Sequence, residues 1–371
     1  MAHALHDGYT DMIYALLPVW QADFGLNYGA LAMLRAIYAG TMATLQLPAG
    51  RLARTLGTRA TLAFGTLLAA LGYAVAGMSG TLLGLCVALA ISGSGSSTQH
   101  PLASGAVSRV YGRNARRPLS VYNFSGDLGK SALPAAISLL ITIMPWRHAL
   151  WAMSTVGVLV AAVIALFLPS VPRDESSIEE ASSHNNNGSR AGFSLLFTIG
   201  VLDTAVRMGL LTFLPFLLKT KGISQPMMGT ALALVFIGGA AGKFVCGWLG
   251  ARVGVIGTVL ATEGGTAALI LAVTCLPLAP ALIVLPLLGV MLNGTSSVLY
   301  GTVPELTSVE RTERAFALFY TGTIASGALA PVAYGLLGDR IGVLGATLAT
   351  AATALAVFPL ALALRPHLRK T

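Results

Sequence analysis

Long apolar stretches alternate with short polar breaks along almost the whole chain. A helix needs about 20 apolar residues to cross the hydrocarbon core of a bilayer. Twelve stretches meet that length, at 2–22, 28–50, 60–78, 81–108, 118–143, 147–168, 193–218, 226–249, 255–276, 281–303, 314–337 and 343–364. Between the sixth and seventh, residues 169–192 are polar, low in complexity and without periodicity, and read as a flexible cytoplasmic linker. The pattern predicts an N-terminal bundle of six helices in 1–168 and a C-terminal bundle of six in 193–371.

Composition removes the soluble alternatives. Of 371 residues, 55% are hydrophobic and 10% charged, and the mean hydropathy is +0.76. A soluble protein carries about 25% charged residues, so this chain cannot cover polar domain surfaces, and a nuclease, a kinase or another water-soluble enzyme is excluded. The net charge of +9 would point to nucleic acid in a soluble protein. Here it marks cytoplasmic loops. With the N-terminus and linker inside, the inner loops hold Arg51, Arg54, Arg59, Arg109, Arg113, Arg116, Arg117, Arg173, Arg190, Arg252, Arg311, Arg314, Arg365, Arg369 and Lys370. The outer loops hold only Arg147, Lys219, Lys221 and Arg340. Both termini are therefore expected in the cytoplasm of a multi-pass inner-membrane protein. Trp20 and Trp146 fall at the outer interface and Trp248 at the inner one, as an aromatic belt would place them. No cleavable signal peptide is evident, so the first helix is expected to be retained. Cys86, Cys246 and Cys275 have neither disulfide nor metal spacing and read as buried free thiols.

The chain also repeats itself. At a shift of 197, Pro18 meets Pro215, Gly25 meets Gly222, Gly50 meets Gly247, Leu52 meets Leu249, Gly57 meets Gly254, Arg117 meets Arg314 and Pro134 meets Pro331. Asp7 meets Asp203 at 196, and Gly95-Ser96-Ser97 meets Gly294-Thr295-Ser296 at 199. A near-constant shift over six helices implies two bundles of the same orientation, related by an axis along the membrane normal.

Two parallel six-helix halves resemble the major facilitator superfamily over the whole chain. The resemblance implies an all-α membrane protein with twelve transmembrane helices in two pseudo-symmetric bundles. The family's loop signature, Gly-x-Leu-x-Asp-Arg-x-Gly, is matched by Gly50, Leu52, Gly57 and the following Arg59, with Arg54 at the acidic position. The second copy has Gly247, Leu249, Arg252 and Gly254, with Ala251 at that position. These residues are the candidate conformational loop. A third match, Gly335 to Gly342, carries the acid at Asp339 but falls outside by the span count and reads as a decoy. A narrower similarity, to fosmidomycin-resistance-type drug exporters, rests on three pieces. They are His6-Asp7 with Leu16-Leu17-Pro18, Gly95-Ser96-Ser97 with His100-Pro101, and Asn123 to Gly129 with Pro134.

Charges inside a bilayer are expensive and mark cavities, partners or function. The spans contain Asp7, Asp11, Arg35, Asp127, Lys130, Asp203, Arg207, Lys243 and Glu263. Asp7 and Asp11 lie one turn apart on one face of the first helix, about 6 Å along its axis, and two carboxyls so placed favour sharing a proton. His100, beside a helix-bending proline, is a third proton candidate. Asp127 is the fourth, three residues from Lys130, either as a structural ion pair or as a gate on an anion site. Asp203 and Arg207 repeat that design at i, i+4. Tyr14, Arg35, Gln99, Tyr122, Asn123, Lys130, Asp203, Arg207, Asn293, Tyr300 and Tyr320 form the candidate substrate wall, with Arg35, Lys130 and Arg207 facing an anionic group. Glu263 lies on the ninth helix, which the family fold makes peripheral. Gly126, Gly129, Gly238 and Gly242 read as close-packing contacts. Gly93-Ser94-Gly95-Ser96-Ser97 is neither a nucleophile elbow nor a phosphate loop, so no enzyme is expected.

These readings converge on a secondary transporter working by alternating access, with proton-coupled export of a small charged or amphiphilic compound in the lead. Export rather than uptake is what the resemblance implies. A proton symporter importing an organic anion is the first alternative, and a non-transporting receptor or assembly factor the second. The expected partners are a small molecule, protons and the bilayer. No nucleic acid, cofactor, metal or nucleotide-binding domain is expected, and the chain is expected to be a monomer.

Overall fold

The apolar stretches fold as α-helices. A computed structural model describes residues 2–169, 189–307 and 309–368, with no side-chain description at 113, 116, 297 and 309–313. Most of the 169–192 linker, with Arg173, Arg369 and Lys370, lies outside the described residues. Among those described there is no strand. The helices are α1 (Ala2–Phe24), α2 (Tyr28–Thr44), α3 (Gln46–Leu56), α4 (Thr58–Met78), α5 (Leu82–Ser96), α6 (Gln99–Tyr111), α7 (Arg116–Ile143), α8 (Trp146–Phe167), α9 (Arg190–Thr220), α10 (Gln225–Cys275), α11 (Leu278–Leu306) and α12 (Val309–Leu364).

Seven of these helices are long and apolar enough to cross a bilayer by themselves. Two of them, α10 and α12, run for 51 and 56 residues and are each divided once, at Gly254 and at Gly342. With α1 and the interrupted pairs α2–α3 and α5–α6, they supply the twelve crossings. The second predicted span is broken at Leu45. The fourth is broken at Ser97 and Thr98, ahead of Pro101. Pro101 thus sits in the first turn of α6, where a missing N–H costs no helical hydrogen bond.

Local chemistry sets the ends. Asn27 caps α2 by accepting from the Ala30 N–H at 2.8 Å. Thr81 caps α5 at Gly84, and Ser189 caps α9 at Gly192. The turns belong to glycines with positive φ: Gly25 at 62°, Gly57 at 85°, Gly222 at 81°, Gly254 at 72° and Gly342 at 76°. Only glycine adopts that region without cost. Gly25 with Gly222, and Gly57 with Gly254, are the pairs related by the shift of 197. The Gly335–Gly342 stretch, read as a decoy, ends in the same backbone conformation at Gly342.

The residues form two compact units. The first comprises α1–α8 together with Ser224–Ala233. In it α1 packs on α7, and α4 packs on both α5 and α8. The α1–α7 approach needs small residues: a Cβ at Gly129 would strike the Ala4 carbonyl, and one at Gly8 would strike Leu133. Ser224–Ala233 joins this unit through Gln225, which donates to the Ala15 carbonyl at 3.3 Å. The second unit comprises α9 to Ile223 and the chain from Leu234 onward. Its core is built from Leu196 and Ile199 on α9, Val259 on α10, Leu299 and Val303 on α11, and Phe319 and Val357 on α12. There Gly238 and Gly242 lie against the carbonyls of Pro286 and Val290.

Two expectations need correction. Trp20 and Trp146 do not form a belt: they are 0% and 7% exposed and pack edge to face at 6.3 Å. Trp248 is exposed and carries the Arg252 guanidinium 4.2 Å above its ring. Of the cysteines, only Cys246 is buried; Cys275 ends α10 and is exposed.

Candidate functional site

The first unit gathers its buried charges around Asp7. Helix α1 presents His3 and Asp7 one turn apart, with the side chains aligned on the face that meets α7. Lys130 of α7 places Nζ 3.2 Å from Asp7 Oδ2 and 3.8 Å from Asp127 Oδ1. His100, at the start of α6, places Nε2 3.4 Å from Asp7 Oδ1, and His3 Nδ1 lies 3.7 Å from the same oxygen. The Asp7 side chain is 7% exposed, whereas those of His100 and Lys130 are 41% and 33% exposed. The carboxylate is therefore sunk in the unit beside the equally buried His3, with His100 and Lys130 reaching it from the wetter side.

Packing holds this arrangement. Tyr122 stacks on His3 with ring centroids 3.9 Å apart and planes 9° apart, and His100 meets His3 edge on at 5.1 Å. Gly126 lies directly against His3 and the Asp7 carboxylate, so a Cβ there would displace both. The predicted Asp7–Asp11 proton-sharing pair is not what the helix builds. Asp7 turns to Lys130 and the two imidazoles, because a buried carboxylate is better stabilised beside a cation and hydrogen-bond donors than beside a second acid. Asp11 is buried further along α1, in the electrostatic neighbourhood of Arg35.

Behind the cluster lies a second polar layer. His6 bonds Ser96 Oγ at 3.1 Å and Thr66 Oγ1 at 3.0 Å, joining α1 to α5 and α4. Ser96 also meets the Tyr38 hydroxyl at 2.8 Å, and Tyr38 meets Thr10 at 3.1 Å. Arg35 is 5% exposed, with its guanidinium 5.3 Å from the Tyr14 ring centroid and 5.9 Å from that of Tyr38. Two aromatic faces are a favourable setting for a buried cation, and Arg35 does not snorkel. Gln99 is buried beside His100, whereas Asn123 is exposed.

The second unit holds a different arrangement. Asp203 on α9 and Glu263 on α10 are 3% and 2% exposed, and their carboxyls hydrogen-bond to each other. Thr295 of α11 bonds to both, and also to Thr262 at 2.7 Å. Arg207, one turn from Asp203, supplies the nearby positive charge. The expectation that Glu263 is peripheral is thus overturned: the α10 rotation turns it inward onto α9. Asn293 donates to the Gly289 carbonyl of its own helix at 3.1 Å. Tyr300 bonds to Thr323 at 3.2 Å, and Tyr320, 6.4 Å from the Tyr300 ring, is 45% exposed.

The loop-motif residues lie at turns and helix ends or inside α3 and α10. Gly57 and Gly254 make the turns described above, and Gly50 and Gly247 lie inside α3 and α10 with no side chain near them. Arg59 donates through Nε to the Ala165 carbonyl at 2.8 Å, tying the start of α4 to the end of α8. Arg54, in the last turn of α3, is exposed.

His3, Tyr38 and Thr295 are polar participants that sequence reasoning missed as site residues, while His6 entered it only within a motif and Glu263 only as a peripheral charge. For His3 a signal existed, since His3 and Asp7 stand at i, i+4. His3, Asp7 and His100 could also present ligand atoms to a metal, all within 4.8 Å of one another. The Lys130 ammonium on the same carboxylate opposes a second cation there.

Residues 1–199 and 196–371 each match the family model described as Major Facilitator Superfamily. No curated protein matches the chain in sequence. Among solved structures, a bacterial homologue of the human lysosomal transporter Spinster is similar at 13% identity and TM-score 0.78, over 98% of this chain and 95% of that one. A variant of the nucleoside transporter NupG is similar at 12% identity and TM-score 0.78, over 99% of both chains. A POT family transporter in complex with 5-aminolevulinic acid is similar at 13% identity and TM-score 0.80, over 100% of this chain and 95% of that one.

Proposed function

The chain belongs to the major facilitator superfamily, and we propose that it is a proton-coupled exporter of a small charged or amphiphilic compound, working by alternating access with both termini cytoplasmic. The observation that carries the proposal is the Asp7 cluster. With its imidazoles neutral, the cluster holds Asp7 (−1), Asp127 (−1) and Lys130 (+1), a net charge of −1. One proton, taken by His100 or a carboxyl, makes it neutral. A neutral cluster can be closed away from water cheaply, whereas a charged one resists. Proton binding thereby controls which conformations are accessible. Asp11 and the buried Arg35, whose guanidinium lies over the Tyr14 ring, extend the same path, and Arg35, Lys130 and Arg207 favour an anionic group on the substrate. Tyr122, Gln99 and Asn123 in the first unit, and Asp203, Asn293, Tyr300 and Tyr320 in the second, are the wall residues of this reading. Export, and kinship with fosmidomycin-resistance-type exporters, rest on the His6-Asp7, Gly95 to Pro101 and Asn123 to Gly129 motifs.

Proteoliposomes holding a pH-sensitive dye test this. A panel of small anions and drugs, including a phosphonate antibiotic, is added under proton gradients of either sign. A substrate-dependent pH change is expected for the native protein and is expected to vanish in Asp7→Asn and Lys130→Met. Flux that persists in both variants without proton movement would overturn proton coupling. Inward substrate movement with the proton, under either gradient, would replace export by import.

A further inference from the structure

The first unit contains an open cavity of about 810 Å³ lined by α1, α4, α6, α7 and α8. That is within the ~300–1,000 Å³ range of small-molecule sites. Its walls are hydrocarbon, from Leu62, Val107, Val121 and Ile164. Its inner end is polar. His3 and Gln99, 5% and 2% exposed, line it together with Tyr122. His3 Nδ1 turns to Asp7 Oδ1 at 3.7 Å, and the Tyr122 hydroxyl faces the Gln99 side chain. At the rim stand the exposed Phe167 and Tyr111, with Arg117 in the first turn of α7, about 7.5 Å along the helix from Tyr122.

Charge identifies the occupant. From Phe24 to Gly126 the sequence contains no acidic residue, the segment 109–117 carries four arginines, and of these the exposed Arg117 lines the cavity. Basic pockets between transmembrane helices take anionic lipid head groups. We propose that this cavity binds an anionic phospholipid from the adjoining leaflet, with one acyl chain along the apolar walls and its phosphate on Arg117. The bound chain ends against the His3–Tyr122 stack, beside the Asp7 cluster. The site shares Gln99 and Tyr122 with the proposed substrate wall, but lipid retention is read without substrate or a proton gradient.

The purified protein is equilibrated with phosphatidylglycerol or phosphatidylcholine and its retained lipid counted by native mass spectrometry. Phosphatidylglycerol is expected to be retained in preference. Arg117→Gln, an exposed change that leaves the core untouched, lowers that retention about fivefold, the factor expected for one surface cation. Ala106→Trp, which fills the cavity, also removes it, while Arg365→Gln and Asp7→Asn leave it unchanged. Glycerol phosphate, which has no acyl chain, does not displace the lipid. Equal retention of both lipids, full retention in Arg117→Gln, or displacement by glycerol phosphate would each overturn the proposal. So would a photoactivatable phosphatidylglycerol that cross-links outside the cavity.

Discussion

Replacing Lys130 by methionine probes the ion cluster directly. Lys130 Nζ is 3.2 Å from Asp7 Oδ2. At an effective dielectric constant of about 20, Coulomb attraction at that distance is about 332/(20 × 3.2), or ~5 kcal/mol. The lysine side chain is 33% exposed and that of the aspartate 7%, so water screens the pair from one side only. A coupling of about 2–3 kcal/mol remains after screening, below the 3–5 kcal/mol typical of breaking a fully buried pair. Lys130→Met strands a buried carboxylate. Asp7→Asn strands only a lysine that can turn toward water, so it costs less. The double variant removes both charges and recovers most of the loss. Reversible unfolding in mixed detergent micelles, followed by tryptophan fluorescence, gives the three free energies and hence the coupling. Additivity of the single changes to within about 0.5 kcal/mol would refute an energetically linked cluster and leave the two groups as mere neighbours.

Other expectations follow from packing and backbone geometry. Gly129→Ala, which drives a Cβ into the Ala4 carbonyl, costs about 2–3 kcal/mol by overpacking. Gly50→Ala, with nothing near its Cβ in α3, gains up to about 1 kcal/mol of helix propensity; the same unfolding assay reads both signs. Gly254→Ala at φ 72° loses about 1–2 kcal/mol, while Gly247→Ala, as open in α10 as Gly50 is in α3, gains up to about 1 kcal/mol, and thermal midpoints in detergent separate them. Glu263→Gln keeps a hydrogen bond to Asp203 and changes stability little. Glu263→Leu leaves Asp203 and Thr295 under-bonded and costs about 1–3 kcal/mol; equal effects of the two would mean that the acid pair is not bonded.

The twelve crossings were legible in the sequence because the length of an apolar run is a local property that the bilayer reads directly. The repeat was legible for the same reason, and so were the turns at Gly57 and Gly254, since a positive φ selects glycine whatever surrounds it. The charges Asp7, Asp127 and Lys130 announced themselves by their cost in an apolar run. What they touch was decided elsewhere. His100 lies 93 positions from Asp7 and Lys130 lies 123. They meet because Gly8, Gly126 and Gly129 let α1 and α7 close to backbone contact, and because the break at Ser97 and Thr98 turns α6 toward them. Asp11 and Glu263 show the same limit. Spacing along one helix suggested Asp7 as a partner for the first and a peripheral place for the second. Helix rotation gave Asp7 to Lys130 and turned Glu263 onto Asp203. A sequence specifies which groups are costly to bury, but their partners depend on which helix faces adjoin, and that is settled by packing among segments far apart in the chain.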